Sequence, residues 1–429
     1  MVLSRWLRLS VFPEDVQSIS FIFSRISALR SLAENLLIIT LILYFLDTLD
    51  DISVGVVWSV YFLILAVVDY PTGILGDHIG YRKLLTIAYL LKIIAVLFLI
   101  FGSGITYYVI FMVFFALGDS QESGALESWY DNHYKEKMDG LDDNRELYTA
   151  FTARKSGLIY TMAIIGFTAG GFITNSTSPQ LLFSIYLVLE IIIWLFIIKM
   201  PITPRIEKIT IKGYFQTLYL SLKVFFSNKV IFFYLLGTAI LWTANESIWF
   251  TFQLYRLYRE YTGSDQGTGI LRSLVFLSGL LWSLLIIPVI KFFKNERLWV
   301  FVSSFLSNTV FFVLVIWYYT SIPPNGFRLT LVIGFLLIYQ IPASWEALEG
   351  ILRQKITIDL IPNNVRNSLY SMLPTISRLM GGIFVFLTGV IIHKWGFVMS
   401  LWWVAGVSLV GSLMLGLGLL VNHPEESTS

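Results

Sequence analysis

The amino-acid sequence predicts an all-α membrane protein with twelve transmembrane helices in two pseudo-symmetric six-helix bundles. Of the 429 residues, 56% are hydrophobic and only 14% are charged, and long apolar runs recur along the whole chain. A soluble protein carries about 25% charged residues, whereas a bilayer core about 30 Å thick needs roughly 20 apolar residues per helix. The runs are continuous at this length, which excludes the short alternating strands of a membrane barrel.

The twelve predicted helices correspond to twelve apolar runs separated by short polar or Gly/Pro-containing breaks. Six runs precede the longest polar connection and six follow it. The runs are 19–46, 54–75, 84–101, 107–129, 148–173, 181–198, 230–252, 271–290, 298–319, 329–351, 369–392 and 397–421.

The longest polar connection predicts the domain boundary. We expect an N-terminal six-helix bundle over 1–200, a cytoplasmic linker over 201–229 and a C-terminal six-helix bundle over 230–429. Aromatic residues and leucines alternate with lysines and serines over 212–229. This pattern is typical of an amphipathic helix that lies on the inner leaflet.

The distribution of basic residues predicts the orientation. With the N-terminus inside, the inner connections hold nineteen Lys and Arg residues, and the outer ones hold only Arg256, Arg259, Arg328 and Lys394. Because Lys and Arg accumulate on the cytoplasmic side, we expect a multi-pass protein of the plasma membrane with both termini in the cytoplasm. The net charge of +2 reflects this bias, and we expect no nucleic-acid partner.

A charged hairpin lies between the second and third runs, in the stretch PTGILGDHIGYRKLL over 71–85. Two helix breaks are predicted at its glycines, and Gly73, Gly76 and Gly80 allow the chain to turn tightly between the second and third helices. Arg82 and Lys83 then hold the hairpin at the cytoplasmic surface. An ordinary positive-inside loop is the alternative interpretation.

The hairpin sequence, G73-I-L-G-D77-H-I-G80-Y-R82-K83, resembles the loop 2–3 signature of the major facilitator superfamily. The preceding D-Y-P-T-G is similar to a motif of its drug-efflux-like branches. The resemblance implies a secondary transporter whose two bundles rock around a central cavity, with this loop as a latch. In such relatives the loop aspartate caps the eleventh helix and the arginine pairs with an acid that ends the fourth. The residues that match this gating loop are Gly73, Asp77, Gly80, Arg82, Lys83 and Asp131. His78 replaces the usual arginine, which predicts a weaker or pH-sensitive latch.

An internal repeat supports two related bundles. Glu122 precedes Arg154 by 32 residues, and Glu346 precedes Arg378 by the same 32 residues. Parallel repeats of this kind are common in transporters. We expect Glu122–Arg154 and Glu346–Arg378 to pair between helices, either at a cavity or as neutral buried clamps that fix the helix register.

Ionisable residues inside the apolar runs predict the functional region, because a charge at mid-membrane must face protein or water. The resemblance implies that the first, fourth, seventh and tenth helices line the cavity. The candidates for the substrate cavity are Arg30, Glu34, Glu122, Arg154, Trp242, Trp249, Arg272, Trp345, Glu346 and Arg378. Arg30 and Glu34 are four residues apart, so they are predicted to pair within one helix. For this pair a structural role and a substrate contact remain open.

Three glutamates are candidates for proton coupling. Glu246 has no basic residue within its own run, and a buried carboxylate without a fixed cation favours its protonated form. Glu127 and Glu349 are further candidates. A permanently protonated glutamic acid that hydrogen-bonds a neighbouring helix is the alternative for Glu246.

These features predict a secondary active transporter that works by alternating access, with small-molecule substrates, protons and the lipid bilayer as partners. We expect a monomer that exports amphipathic organic cations or zwitterions in exchange for protons. The alternatives are an uptake carrier for an organic anion or nutrient, and a non-transporting membrane sensor with the same fold. The sequence has no nucleotide-binding loop or hydrolase motif, no cysteine, and only four scattered histidines. We therefore expect no enzymatic activity, no cofactor and no metal site.

Overall fold

The structure, a computed structural model, is helical and contains no strand within the residues that it describes. In some helices only the backbone is described, among them 70–78, 246–250 and 282–290. The described residues are 2–122, 124–142, 145–202, 211–250, 253–290, 295–322, 324, 329–340, 349, 352–353, 356–357, 360 and 366–420.

Seventeen α-helices are named here in chain order. The N-terminal ones are α1 Val2–Trp6, α2 Glu14–Thr48, α3 Asp51–Ile79, α4 Tyr81–Phe101, α5 Ile105–Glu122, α6 Ala125–Met138, α7 Glu146–Ser176, α8 Pro179–Ile198 and α9 Ile211–Ser227. The others are α10 Lys229–Phe250, α11 Gln253–Thr262, α12 Asp265–Ile290, α13 Glu296–Phe305, α14 Phe311–Ser321, α15 Leu329–Phe335, α16 Arg366–Trp395 and α17 Phe397–Leu420. Two π-helical segments, Leu306–Val310 and Leu336–Gln340, follow α13 and α15.

The apolar runs predict the long helices closely. The first run, 19–46, lies within α2, and the last, 397–421, corresponds to α17. Within the described residues, eight helices are long and apolar enough to cross a membrane, or nine if one bent pair is counted as a span. The all-helical membrane fold is therefore confirmed, while the number twelve remains a prediction.

The charged hairpin differs from its prediction in where the chain turns. Helix α3 continues through Gly73 and Gly76 to Ile79, and the turn occurs at Gly80, whose φ is +88°. One residue with positive φ is sufficient to separate two helices, and glycine adopts this conformation without steric cost. The prediction of two helix breaks was wrong, because the chain turns only once in this hairpin, at Gly80.

The fourth apolar run is also interrupted. Helix α5 ends at Glu122 and α6 begins at Ala125, with Gly124 at φ +71° before it. This break lies next to Glu122, so the carboxylate stands at a helix end. A continuous apolar run did not predict it.

The linker helix predicted over 212–229 is present as α9. It bends by 102° into α10, and its amphipathic character is visible in the burial of its side chains. Phe225 packs into a buried apolar cluster with Ile231, whereas Tyr219 and Phe226 are exposed. The location of this helix on the inner leaflet remains a prediction.

The chain divides into two compact units. The first contains residues 1–49, 60–209 and 264–277, and the second contains 50–59, 210–263 and 278–429. In the first unit α2 packs against α7 and α8, and α4 packs against α5 and α8. In the second unit α10 packs against α16 and α17, and α13 packs against α17. The predicted boundaries at 200 and 229 remain predictions.

Candidate functional site

Six ionisable side chains meet inside the first unit, and we call them the charged cluster. They come from four apolar helices, which hold them away from bulk water. The members are Arg30 and Glu34 on α2, Lys92 on α4, Asp119 and Glu122 on α5, and Glu190 on α8.

Lys92 is the centre of the cluster. Its side chain is fully buried, and its ammonium lies 2.5 Å from Asp119 Oδ1 and 3.5 Å from Glu34 Oε1. The ammonium also donates a hydrogen bond to Glu122. One cation therefore pairs with three carboxylates from two other helices.

A glycine makes room for this lysine. A Cβ atom at position 118 would lie 2.7 Å from Lys92 Cγ and 2.8 Å from the backbone oxygen of Ala88. Both distances are shorter than van der Waals contact, and the second involves backbone that cannot rotate away. Gly118 thus lets α5 approach α4 closely enough for Lys92 to reach the carboxylates.

Neighbouring groups complete the hydrogen bonding of the acids. Arg30 Nε lies 2.9 Å from Glu34 Oε1 and 3.0 Å from Glu122 Oε1. The predicted Arg30–Glu34 pair is therefore confirmed, and Arg30 also connects it to Glu122. The hydroxyl of Tyr89 donates to Glu122, and that of Tyr61 donates to Asp119 Oδ2 at 2.7 Å.

Exposure varies across the cluster. The side chains of Arg30 and Glu34 are 28% and 33% exposed, whereas those of Lys92 and Glu122 are fully buried. Since an ionised group is costly in hydrocarbon, the exposed edge requires water or a polar ligand next to it. The cluster thus has a partly open side at α2 and a closed side at α4 and α5.

The cluster contains more acid than base. Four carboxylates face two cations, which leaves a surplus of two negative charges if every group is ionised. Oxygens of Glu34, Asp119 and Glu122 all lie within 4.8 Å of one another, a spacing that would suit a metal ion. The ammonium of Lys92 lies among them, so the lysine takes the place that a metal would need.

The partners predicted for Glu122 and Arg154 were wrong. Glu122 pairs with Arg30 and Lys92, whereas the guanidinium of Arg154 donates to the backbone oxygen of Leu7 at 3.5 Å. The helix break after Glu122 and the insertion of Lys92 explain the difference. The next residue, Lys155, is buried with its ammonium 4.0 Å from the centre of the Phe23 ring.

Glu127 is exposed in the first turn of α6 and interacts electrostatically with Lys155. Arg272 belongs to the first unit and is buried, with its guanidinium 5.2 Å from the centre of the Phe167 ring. Arg378 on α16 is half-buried.

The gating residues have different partners from those that the resemblance implies. Asp131 pairs with Arg145 at 2.9 Å and with Lys135 at 2.7 Å. Arg82 donates to the backbone oxygen of Met200 at 3.0 Å, and Lys83 is exposed. The predicted Arg82–Asp131 pair is thus absent from this structure. The side chain of Asp77 lies outside the described residues, and Gly73 lies within α3.

The second unit has a smaller buried ion pair. Glu349 pairs with Arg353 and accepts a hydrogen bond from Ser304, and all three are buried. Trp242 is half-buried against the apolar cluster of this unit, which indicates a packing role. Four candidates have side chains outside the described residues, namely Glu246, Trp249, Trp345 and Glu346.

Sequence reasoning missed Lys92, Asp119 and Glu190. Each is an ionisable residue inside an apolar run, and the cost of burying such a group was the available signal. Asp119 lies on the fourth run beside Glu122, which was a candidate. Lys92 on α4 and Glu190 on α8 lie on helices outside the set that the resemblance assigns to a cavity.

One titratable group of the polar connection before α7 has a perturbed pKa. Burial raises the pKa of Asp142. Hydrogen bonds from the Tyr134 hydroxyl at 2.6 Å and from the Tyr148 backbone N–H at 3.0 Å lower this pKa by more than burial raises it. The net pKa of Asp142 lies below its ordinary value. This carboxylate anchors the start of α7.

Comparisons with known proteins agree with a transporter fold. No protein-family model matches the chain. An uncharacterized MFS-type transporter of Bacillus subtilis (strain 168), YxaM, is 27% identical over 186 residues, which covers 42% of this chain and 44% of that protein. The match thus spans less than half the length of that relative.

Three solved structures are similar to nearly the whole chain. A mutant of the nucleoside transporter NupG has a TM-score of 0.76 and 15% identity, and the match covers 92% of this chain and 98% of that one. A D-xylose-proton symporter has a TM-score of 0.67 and 12% identity, with 93% and 96% covered. A POT family transporter in complex with a thioalcohol-conjugated peptide has a TM-score of 0.69 and 14% identity, with 92% and 94% covered.

Each of these proteins is described as a transporter or symporter, in agreement with the expectation that the chain is not an enzyme. The TM-scores and the coverage establish similarity of fold. The chain shares the fold of these solved transporters. The partial match to an MFS-type transporter agrees with the resemblance inferred from the residues around Asp77.

Proposed function

We propose that this protein is a secondary active transporter that moves a small organic solute across the membrane by alternating access. The observation that carries the proposal is the charged cluster, a partly exposed group of acids and bases within apolar helices. Ionisable residues at such positions are costly and typically mark substrate or ion pathways. A purely structural clamp would need neither the exposed edge nor the surplus of carboxylates.

The charge of the cluster favours a substrate with a positive group. Four carboxylates against two cations leave room for an ammonium or another cationic group at the exposed edge beside Glu34. Export of an amphipathic organic cation or zwitterion in exchange for protons is consistent with this surplus. Glu246, Glu127 and Glu349 remain candidates for proton coupling, and the drug-efflux-like branch remains a hypothesis.

Uptake is the second candidate, because two of the similar structures are described as a nucleoside transporter and a D-xylose-proton symporter. In that case Arg30 at the exposed edge would hold a polar or anionic part of the solute. A sensor that binds its ligand without moving it is the third possibility.

The test begins with purified protein and four probes, namely uridine, D-xylose, the dipeptide Ala-Ala and tetraphenylphosphonium. Thermal stability is measured with each probe at two pH values, and counterflow of each radiolabelled probe is then measured in proteoliposomes. We expect at least one probe to stabilise the protein and to exchange. Stabilisation without counterflow would support the sensor and overturn transport, and absence of both for all four probes would overturn the proposed substrate classes.

The direction of coupling follows from imposed pH gradients. An acid interior drives accumulation by an exchanger, whereas an acid exterior drives accumulation by a symporter, whichever way the protein is inserted. One pH unit corresponds to about 1.4 kcal/mol, so a one-to-one electroneutral exchange sustains up to about tenfold accumulation. We expect accumulation with an acid interior. Glu34→Gln should weaken it, while the exposed control Glu146→Gln should not; equal activity of both variants would contradict the role of the cluster.

A further inference from the structure

Glu190 is the least satisfied member of the charged cluster. It lies on α8 with 1% of its surface exposed, and its Oε2 atom has no hydrogen-bond partner among the described residues. A buried ionised carboxylate without its full set of hydrogen bonds is costly. The position therefore disfavours a permanent negative charge unless a cation is available.

Lys92, the cation that interacts with Glu190, is already paired with other carboxylates. The charged groups that interact with Glu190 are Lys92 from α4, Glu122 from α5 and Glu34 from α2, and Tyr186 adjoins it on α8 itself. Lys92 is bound to three other carboxylates, all with oxygens within 3.5 Å of its ammonium. Two of the three groups from other helices are therefore acids, and the one base is shared.

Protonation of one carboxylate reduces the surplus of negative charge in the charged cluster. When several carboxylates share one site, at least one of them takes up a proton, because they cannot all ionise at close range. Glu122 accepts hydrogen bonds from the Lys92 ammonium and the Tyr89 hydroxyl, while Asp119 pairs with the Lys92 ammonium and accepts a hydrogen bond from Tyr61, so both acids have a cation and a hydroxyl beside them. Among the described residues Glu190 accepts no hydrogen bond from an ammonium; the Tyr186 hydroxyl on its own helix supports it, but Oε2 has no partner. Glu190 is therefore the member on which a proton costs least.

We infer that Glu190 is the proton-carrying group of this transporter and that Lys92 connects its proton to the substrate. The inference rests on the proposed transport function and names the coupling site within it. While Lys92 is held by the three carboxylates, Glu190 keeps its proton. A cationic substrate group that binds at Glu34 competes with Lys92 for the same oxygens, and the lysine arm then turns toward Glu190. Glu190 gives its proton to water, forming a carboxylate and a hydronium ion, and Lys92 neutralises the new charge.

This arrangement makes the substrate cation and the proton compete for one cluster. Lys92 is suited to the task because its ammonium is a compact charge on a flexible four-carbon arm. Each substrate cation bound releases one proton, which is the stoichiometry of a one-to-one exchange. The assignment differs from that of Glu246, Glu127 and Glu349, because Glu190 lies on a helix that the sequence analysis did not connect with function.

A measurement without substrate tests the proton itself. Infrared difference spectra of the full-length protein in lipid, recorded between acid and alkaline pH, report the carbonyl band of a protonated carboxylic acid. We expect a band from a buried acid in the wild-type protein that is absent from Glu190→Gln and retained in the exposed control Glu146→Gln. A band unchanged in Glu190→Gln would overturn the assignment.

Transport measurements separate this inference from the proposed function. With a probe that the wild type exchanges, Glu190→Gln should lose accumulation driven by an acid interior, from up to about tenfold per pH unit to none, and its remaining counterflow should no longer depend on pH. Glu190→Asp should recover part of the accumulation, since it restores a titratable group. Gradient-driven accumulation in Glu190→Gln within twofold of the wild type would overturn the inference. Absence of counterflow in the wild type would instead contradict the proposed function, and the infrared band would still test Glu190.

Discussion

Substitution of Lys92 by methionine tests the organisation of the charged cluster most strongly. Methionine fills a similar volume but removes the ammonium that lies among Glu34, Asp119 and Glu122. The carboxylates are then left buried without their shared cation. Removing one partner of a buried ion pair typically costs about 3–5 kcal/mol.

The magnitude can be converted into a measurable shift. For a unit of roughly 200 residues, each kcal/mol corresponds to about 2–4 °C in the melting temperature. Lys92→Met is therefore expected to lower the melting temperature by on the order of 10 °C at pH 7. The loss should shrink at acidic pH, because protonation neutralises the carboxylates that the lysine no longer balances.

The assay is thermal unfolding of the purified protein at several pH values, with Lys83→Met as control. Lys83 is an exposed lysine on the same helix, so its loss should change the melting temperature little. The double variant Lys92→Met, Glu122→Gln should recover much of the stability, since it removes a charge of each sign. Two results would refute the shared-cation arrangement. One is a decrease in melting temperature for Lys92→Met that is no larger than that of Lys83→Met. The other is a decrease for the double variant that equals the sum of the decreases for Lys92→Met and Glu122→Gln.

Three further predictions concern neighbouring features. Gly118→Ala should lower the melting temperature in the wild-type background but have a smaller effect in Lys92→Met, because the added methyl group displaces that lysine; equal effects in both backgrounds would contradict the close approach. The pKa of Asp142 is lowered in the folded protein, so its stabilising effect is present above the unfolded value near 3.9 and disappears as the pH falls. Asp142→Asn should therefore be less stable than the wild type at pH 7 and equally stable below about pH 3, and a difference independent of pH would refute this. A double-mutant cycle between Asp131 and Arg145 should give a coupling energy of about 0.2–1 kcal/mol, whereas a value of zero would contradict the ion pair.

The membrane helices could be predicted because bilayer thickness and hydropathy leave little freedom. The run 19–46 predicted α2, which extends a few residues further at each end, and the run 397–421 predicted α17 almost to the residue. The position of the turn after α3 was less predictable. Three glycines in the hairpin permit a turn, and only the packing of the two helices selects Gly80.

The site was predicted less well because helix periodicity shows which residues share one face of a helix but not which helices pack against that face. The four-residue spacing of Arg30 and Glu34 predicted their pair correctly, since both lie on one helix. The partner of Glu122 depends on which helices pack together, and it proved to be Lys92 on α4 and Arg30 on α2. The repeat that suggested Arg154 carried no information on this contact.

The proposed solute pathway requires water to reach the exposed edge of the charged cluster, and single-cysteine labelling measures this most directly. The chain has no native cysteine, so one introduced thiol reacts without background. The probe is a permanently charged methanethiosulfonate reagent applied to the protein in lipid vesicles. Val67 is an apolar side chain that is 70% exposed within an apolar helix, and Asp15 is 77% exposed near the chain start. We predict that Glu34→Cys reacts, as Asp15→Cys does, and that Val67→Cys does not. If Glu34→Cys stays unlabelled while Asp15→Cys reacts fully, the cluster is sealed from water and cannot be part of a solute pathway.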